Sequence, residues 1–363
     1  MDRRVFAAGL VGLPLAACAG AGETPPPSAP TVWRALPTEP YPGKQDDIHF
    51  VSSDIGWYGN GAGKLYRTAD GGETWEKVWD QPGTFIRALG FIDAENGFLG
   101  NVGVEAYPNV TDPRPLYRTR DAGRTWSPVQ AEGMEAVRGI CGIDVIQRRR
   151  IVQGELRDTA IIHAAGRVGG PAAILRSVDG GESWTTLDLT AQAGMILDVK
   201  FFDAMHGLVC ASTASDISEA RALILRTADG GRTWLRAYES NRPFENCWKM
   251  NFPSRDVGYA TVQNYQDGQT QRVLIKTTDG GASWRELPLV DDARVREFGI
   301  GFVNENWGWI GASTTGFETR DGGLSWAPIE MGRAVNKIRV LHDGDAVRAF
   351  AIGVEVRRFD AVV

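Results

Sequence analysis

Six aspartates, at positions 70, 121, 179, 229, 279 and 321, share one nine-residue frame: "RTADGGETW" ends at Trp75, and its relatives end at Trp126, Trp184, Trp234, Trp284 and Trp326. A carboxylate, two small residues, a hydroxyl and an indole at fixed spacing could ligate calcium, stack a sugar or close a turn. A calcium loop needs several oxygen ligands, and no second acid recurs at a spacing common to all six frames. A short Asp side chain accepts hydrogen bonds from the main-chain N–H groups just after it, and Gly supplies the positive φ that such a turn needs. The Ser or Thr two residues after the second Gly adds a hydroxyl to the same loop. Asp70, Asp121, Asp179, Asp229, Asp279 and Asp321 therefore read as structural. In the second copy Ala122 replaces the first Gly, so only the second position is expected to demand positive φ.

Each frame lies between short β-type runs such as "KLYRT" and "TWEKV", which makes it the turn of a hairpin. Upstream recurs an apolar strand ending near Phe or Ile, a polar turn, then Gly and a second apolar strand, as in "IHFVSSDIGWYGN" and "LGFIDAENGFLGN". These are strands A and B of a unit whose C and D strands flank the frame. The interval between frames is that of a four-stranded propeller blade. A degenerate version, "CGIDVIQRRRIVQGEL", precedes the third frame, so six frames give six units. The tail "NKIRVLHDGDAVRAFAIGVEVRRFD" supplies three further strands, and "TVWRALP" at 31–37 resembles the strands that follow the frames. The expected fold is all-β: a seven-bladed β-propeller of four-stranded antiparallel blades spanning 31–363, its ring closed by the N-terminal strand.

The frames are Asp-boxes, also called bacterial neuraminidase repeats, and the chain resembles the propellers built from them. Sialidases, sortilin-like receptors and photosystem II assembly factors all carry the motif, so the repeat does not name a chemistry. The chain most resembles the photosystem II assembly and stability factor type, with A strands ending in Phe, then "GW" or "GF", then the box. That resemblance implies a chaperone-like grip on a membrane-protein partner, without a cofactor, a metal or catalytic residues.

In such a ring the A–B and C–D turns share one face, and the D–A and B–C loops share the other. The B–C loops are short in blades 1 and 6 ("NGAGK", "STTG") and long in blades 2 to 5, beginning with "NVGVEAYPNVTDPRP". Four neighbouring long loops raise a lip around one rim, and loops on a rigid scaffold commonly carry binding. The expected A-strand starts place Asp46, Arg87, Arg138, Asp198, Trp248, Glu297 and Lys337 at the mouth, with Lys200, Lys249 and Arg339 slightly deeper. With Tyr107 and Tyr265 from the long loops, the expected partner-binding set is Arg87, Arg138, Lys200, Trp248, Lys249, Glu297, Arg339, Tyr107 and Tyr265. Mixed charge beside aromatic rings suits a peptide or a carboxylate ligand. Charges at a water-filled mouth are equally compatible with simple solvation. "GNGAGK" lacks the Ser or Thr of a phosphate loop and reads as a turn.

The alternative is a sialidase-like glycosidase or a carbohydrate-binding propeller; in the glycosidase Arg87, Arg138 and Arg339 would mimic a carboxylate-gripping triad. The family's Arg-Ile-Pro motif is absent, Asp46 and Asp47 stand there instead, and no Tyr–acid pair is evident.

The start, "MDRRVFAAGLVGLPLAAC", has a basic end, a short apolar stretch and small residues before Cys18, the pattern of a secretory signal over 1–17. Leu15 to Cys18 resemble a bacterial lipobox, which implies lipidation of Cys18, and "AGAGETPPPSAP" completes a tether over 18–30. Arg3 and Arg4 fit a twin-arginine signal or an ordinary basic start. Ala19 resembles the outer-membrane sorting pattern, so the expected place is the periplasmic side of the envelope, as a lipid-anchored monomer. A net charge of −6 gives no basic excess for nucleic acid. Cys141, Cys210 and Cys247 fall on inner strands without metal spacing and read as buried small hydrophobes, the alternative being a disulfide between adjacent blades. His49, His163, His206 and His342 are scattered and read as ordinary.

Overall fold

The computed structural model describes residues 32–152 and 155–363; the expected signal, the tether and Cys18 lie outside the described residues. Its strands form seven four-stranded antiparallel sheets, with 28 strands in all. The A strands are Gln45–Phe50, Ile86–Phe91, Gly142–Val152, Met195–Phe201, Glu245–Asn251, Glu297–Phe302 and Lys337–Asp343. Each packs on the next, and the seventh packs on the first, so the A strands ring a central channel. In the seventh blade Arg34–Ala35 pairs antiparallel with Val356–Val362, which places the N-terminal segment as the missing fourth strand.

The box behaves as its residue types dictate, with one participant more than expected. In the first copy Thr74 donates both its N–H and its hydroxyl to Asp70, at 2.9 and 2.6 Å. Thr68, at the start of the frame, donates to Asp70 at 2.7 Å and accepts the Gly72 N–H at 2.9 Å. The same pattern recurs around Asp121, Asp179, Asp229, Asp279 and Asp321. These bonds hold the Asp229 carboxyl down at about 2, the Thr233 hydroxyl being the largest cause. Asp229→Ala is expected to lower the Tm by about 2 to 5 °C in a thermal-shift assay near neutral pH. An unchanged Tm would remove the box from the list of stabilising features.

The positive-φ expectation needs correction. Gly71 and Gly72 both have positive φ, at 69° and 89°, and Ala122 adopts 63° beside Gly123 at 88°. Both central positions of the turn are therefore left-handed, and Ala122 carries the steric cost that Gly avoids. A repeated bond explains why that conformation persists. The N–H at the first central position reaches the neighbouring A–B turn, as Gly71 to Asp54, Ala122 to Glu95, Gly230 to Met205 and Gly280 to Asp256, each at 2.9 Å. The A–B and C–D turns thus share one face.

The recurring Phe and Gly are equally physical. A Cβ on Gly56, Gly97, Gly207, Gly258 or Gly308 would lie 2.3–2.5 Å from the ring of the Phe that ends, or in blade 5 directly follows, the same A strand. That ring meets the box Trp edge-on, as Phe201 meets Trp234 at 6.2 Å and Phe302 meets Trp326 at 6.3 Å. The residue after the Gly stacks on the Phe of the next blade: Trp57 on Phe91 at 3.6 Å, Tyr259 on Phe302 at 3.7 Å. In blade 3 His163 takes this place, 3.5 Å from Phe201, and burial pushes its imidazole down to about 3, so it serves as a neutral ring. The degenerate blade 3 unit is complete, with A and B strands of 11 residues each.

Candidate functional site

Side-chain acceptors on the A strands stitch blade 1 to 2, blade 3 to 4, blade 4 to 5 and blade 5 to 6. Asp47 accepts the Leu89 N–H at 2.7 Å, Asp144 that of Phe201 at 2.9 Å, Asp198 that of Met250 at 3.1 Å and Asn251 that of Phe302 at 3.0 Å. The carboxylates among them collect the channel cations. Asp47 pairs with Lys337 and Arg339, Asp144 with Lys200 at 3.0 Å, and Asp198 with Lys249 at 3.3 Å. Burial lowers the Lys337 ammonium to about 7 against the pull of Asp47. Burial alone would raise the Asp47 carboxyl, but Lys337 and Arg339 hold it below the ordinary carboxylate range.

Many residues expected to face a partner are therefore wall residues of the channel. Lys249 is buried, and its ammonium also donates to the carbonyls of Leu197, at 2.7 Å, and Cys141, at 3.3 Å. Arg87 is buried against Asp46, with its guanidinium 5.1 Å from the Trp248 ring centre. Arg339 donates to the Ile48 carbonyl at 3.1 Å. Lys200 and Arg339 keep partial exposure, 38% and 37% of their side chains, but both are paired.

The expected residues that do face solvent come from the loops. Arg138 lies not at a strand start but in the connection before Gly142–Val152, exposed and 3.8 Å from Glu105. Tyr107 is exposed and stacks on Phe85 at 4.9 Å. Tyr265 sits under Arg296, 4.2 Å from its guanidinium carbon, and donates to Gln263 at 2.6 Å. Arg296 was missed by sequence reasoning, although it directly precedes Glu297 at a strand start and could have been suspected there.

The lip has its own internal bonds. The B–C loops of blades 2, 3, 4 and 5 occupy 102–115, 166–172, 213–221 and 265–270, against three residues each in blades 1, 6 and 7. Arg167 of blade 3 donates to Val104 of blade 2 at 2.7 Å and to Gly170 of its own loop at 2.9 Å. Ala214, Ile217 and Ala220 of the blade 4 loop pack with Met195, Leu197 and Trp248. The loops of blades 2 to 4 therefore form a linked shelf against the mouth. Beside it Glu297 is buried, neither carboxyl oxygen has a hydrogen-bond partner among the described residues, and burial pushes its carboxyl up to about 8.

As a glycosidase site this arrangement is poor, because each arginine of the mimic triad already has an acid: Arg87 has Asp46, Arg138 has Glu105 and Arg339 has Asp47. As a binding surface it offers aromatic rings, an exposed ion pair and an apolar shelf on a rigid ring.

A family model described as photosynthesis system II assembly factor YCF48 matches residues 177–295. The photosystem II assembly lipoprotein Ycf48 of Synechococcus sp. (strain CC9902) is 26% identical over 173 residues. That match covers 47% of this chain and 47% of the relative, so the chain spans about half the length of the curated relative that it matches. A solved structure described as YCF48 bound to D1 peptide shares 18% identity and a TM-score of 0.60, covering 92% of this chain and 97% of that one. A GH74 xyloglucanase from Xanthomonas campestris reaches the same TM-score of 0.60 at 16% identity, covering 89% of this chain and 52% of that one. At such identities the structural likeness speaks for the propeller fold.

Proposed function

We propose that this chain, a Ycf48-like Asp-box propeller, is a non-catalytic assembly or stability factor that holds an extended segment of a membrane-protein partner on its loop face. The observation that carries the reading is the linked shelf of long loops on one rim, beside a channel whose buried lysines are paired within the wall. A rigid ring with prepaired charges leaves the loops as the adaptable surface. The relative's description as a lipoprotein supports a lipid-anchored envelope protein, and Cys18 in its lipobox pattern is the proposed anchor. The periplasmic side, outer-membrane sorting and a monomeric state belong to the same proposal.

The test separates the shelf from the wall. Tyr107→Ala combined with Arg138→Ala changes two exposed residues of the loop face. Capture of the partner from detergent-solubilised envelope is expected to fall at least about tenfold, since rim anchors of this type cost about 1 to 2 kcal/mol each. The Tm should stay within about 2 °C, as for other surface changes. Shortening the 102–115 loop should have the same effect. Undiminished capture by both variants would move the site off this rim. Turnover of a fluorogenic sialoside that Arg87→Ala abolishes would restore the glycosidase.

A further inference from the structure

Cys210 lies in strand B of blade 4 and Cys247 in the A strand of blade 5, and their sulfurs stand 3.2 Å apart. Packed heavy atoms rest at roughly 3.5–4.0 Å for carbon, so the two thiols are already in close contact across the seam. Leu208, Ala222, Ile224, Ala260, Val262 and Ile275 enclose them, and both residues are fully buried. The strand that carries Cys247 shifts register between Cys247 and Met250, so the backbone beside one of the thiols is irregular where an adjustment would be needed. A bonded pair needs a sulfur separation of about 2.05 Å, roughly 1 Å less than the present gap.

We infer that Cys210 and Cys247 are a disulfide-forming pair that covalently joins blades 4 and 5 when the chain folds in the presence of a thiol oxidant. The reaction is an exchange: two thiols and one oxidant disulfide give the interblade S–S bond and two oxidant thiols, with two electrons and two protons passing to the oxidant. It proceeds through a mixed disulfide that the second cysteine resolves. An envelope compartment supplies such oxidants, and that clause alone rests on the placement proposed above. The seam chosen is informative, because the 4–5 junction lies across the ring from the 7–1 junction that the N-terminal strand closes. The covalent loop would also enclose residues 213–221 of the shelf.

Burial decides when the bond can form. In the packed ring no oxidant reaches either sulfur, and burial with the neighbouring Cys247 holds the Cys210 thiol well above its ordinary range, so little attacking thiolate exists. The exchange must therefore precede the packing of blade 5 on blade 4. Cys141, the third described thiol, is buried elsewhere in the channel wall and serves as the internal control.

The experiment refolds the full chain from denaturant with glutathione in its oxidised or its reduced form. The readouts are differential alkylation with peptide mapping, and a thermal-shift measurement. Under oxidised glutathione, Cys210 and Cys247 should map to one disulfide-linked peptide pair while Cys141 is alkylated. The Tm should rise by about 5 °C over the reduced form, as expected for a loop of about 37 residues. Adding oxidised glutathione to the already folded, reduced protein should leave both thiols free. Cys247→Ala should abolish the Tm difference. Alkylation of both cysteines after oxidative refolding, or pairing of either with Cys141, overturns the inference.

Discussion

A chain lacking residues 32–37 is expected to aggregate, or to elute as unfolded, under conditions in which the full chain is a folded ring. Trp33 is buried edge-on against Trp309 at 5.2 Å and lies 5.4 Å from Phe359, and Leu36 is buried beside Phe50, Tyr58, Phe350 and Val356. The Leu36 N–H donates to the Val356 carbonyl at 2.9 Å, and Arg34 forks onto Glu73 of the first box. Losing one buried Trp and one buried Leu costs about 5 to 10 kcal/mol, which is comparable to the whole stability of an ordinary domain. The deletion also bares Val356–Val362 as a free edge, the kind of surface on which strands from other chains add. Trp33→Ala should show a milder form of the same failure, a Tm lower by about 5 °C or more without an exposed edge. Size-exclusion chromatography and thermal unfolding check both. A deleted chain that stays monomeric with the Tm of the full chain would show that blade 7 does not depend on this strand.

That strand was legible in the sequence because it repeats a local pattern: a Trp opening a β run, as after every box. The box turn and the recurring Phe and Gly positions were legible for the same reason, since each repeats from blade to blade within a few dozen residues, whereas the packing of the Phe ring on the Gly was not. The fate of the mouth charges was not. Asp47 meets Arg339 from 292 positions away, and Lys249 meets Asp198 across a blade boundary. Such pairs exist only once neighbouring blades have packed, and that of Asp47 with Arg339 only once the ring is closed, so residues read as a surface for a partner lie in the wall of the channel. Arg138 was misplaced for a local reason that sequence does not display. Gly139 passes so close to blade 2 that a Cβ there would lie 2.0 Å from the Val102 carbonyl oxygen, and this contact precedes the start of the A strand at Gly142. The loops stand apart from these constraints. Their lengths could be read directly, whereas the bonds that fuse them into a shelf, such as Arg167 to Val104, could not.

The wall makes its own strong prediction, in which the effect of one substitution depends on pH. Asp47→Ala removes the acceptor of the Leu89 N–H and leaves Lys337 buried without its carboxylate. The orphaned N–H costs about 1 to 3 kcal/mol at any pH. The ammonium adds a term that depends on its protonation. In the wild-type protein Lys337 titrates at about 7, below its ordinary 10.5, so the folded state binds fewer protons than the unfolded chain between those values. Its contribution to stability therefore declines as pH falls from 10.5 and levels off below about 7. Without Asp47 the folded-state value drops further, and the decline continues below pH 7 at up to about 1.4 kcal/mol per pH unit. The two proteins should run nearly parallel above about pH 8 and separate as pH falls, with the variant several degrees worse at pH 5.5 than at pH 8. Adding Lys337→Met to Asp47→Ala should erase the pH-dependent part, because no buried charge then remains to be paired, and leave the cost of the orphaned N–H. Thermal unfolding of the three proteins between pH 5.5 and 9 checks this. A gap between wild type and Asp47→Ala that is constant, or that narrows toward acid, would mean that Lys337 does not depend on Asp47 to hold its charge inside the ring.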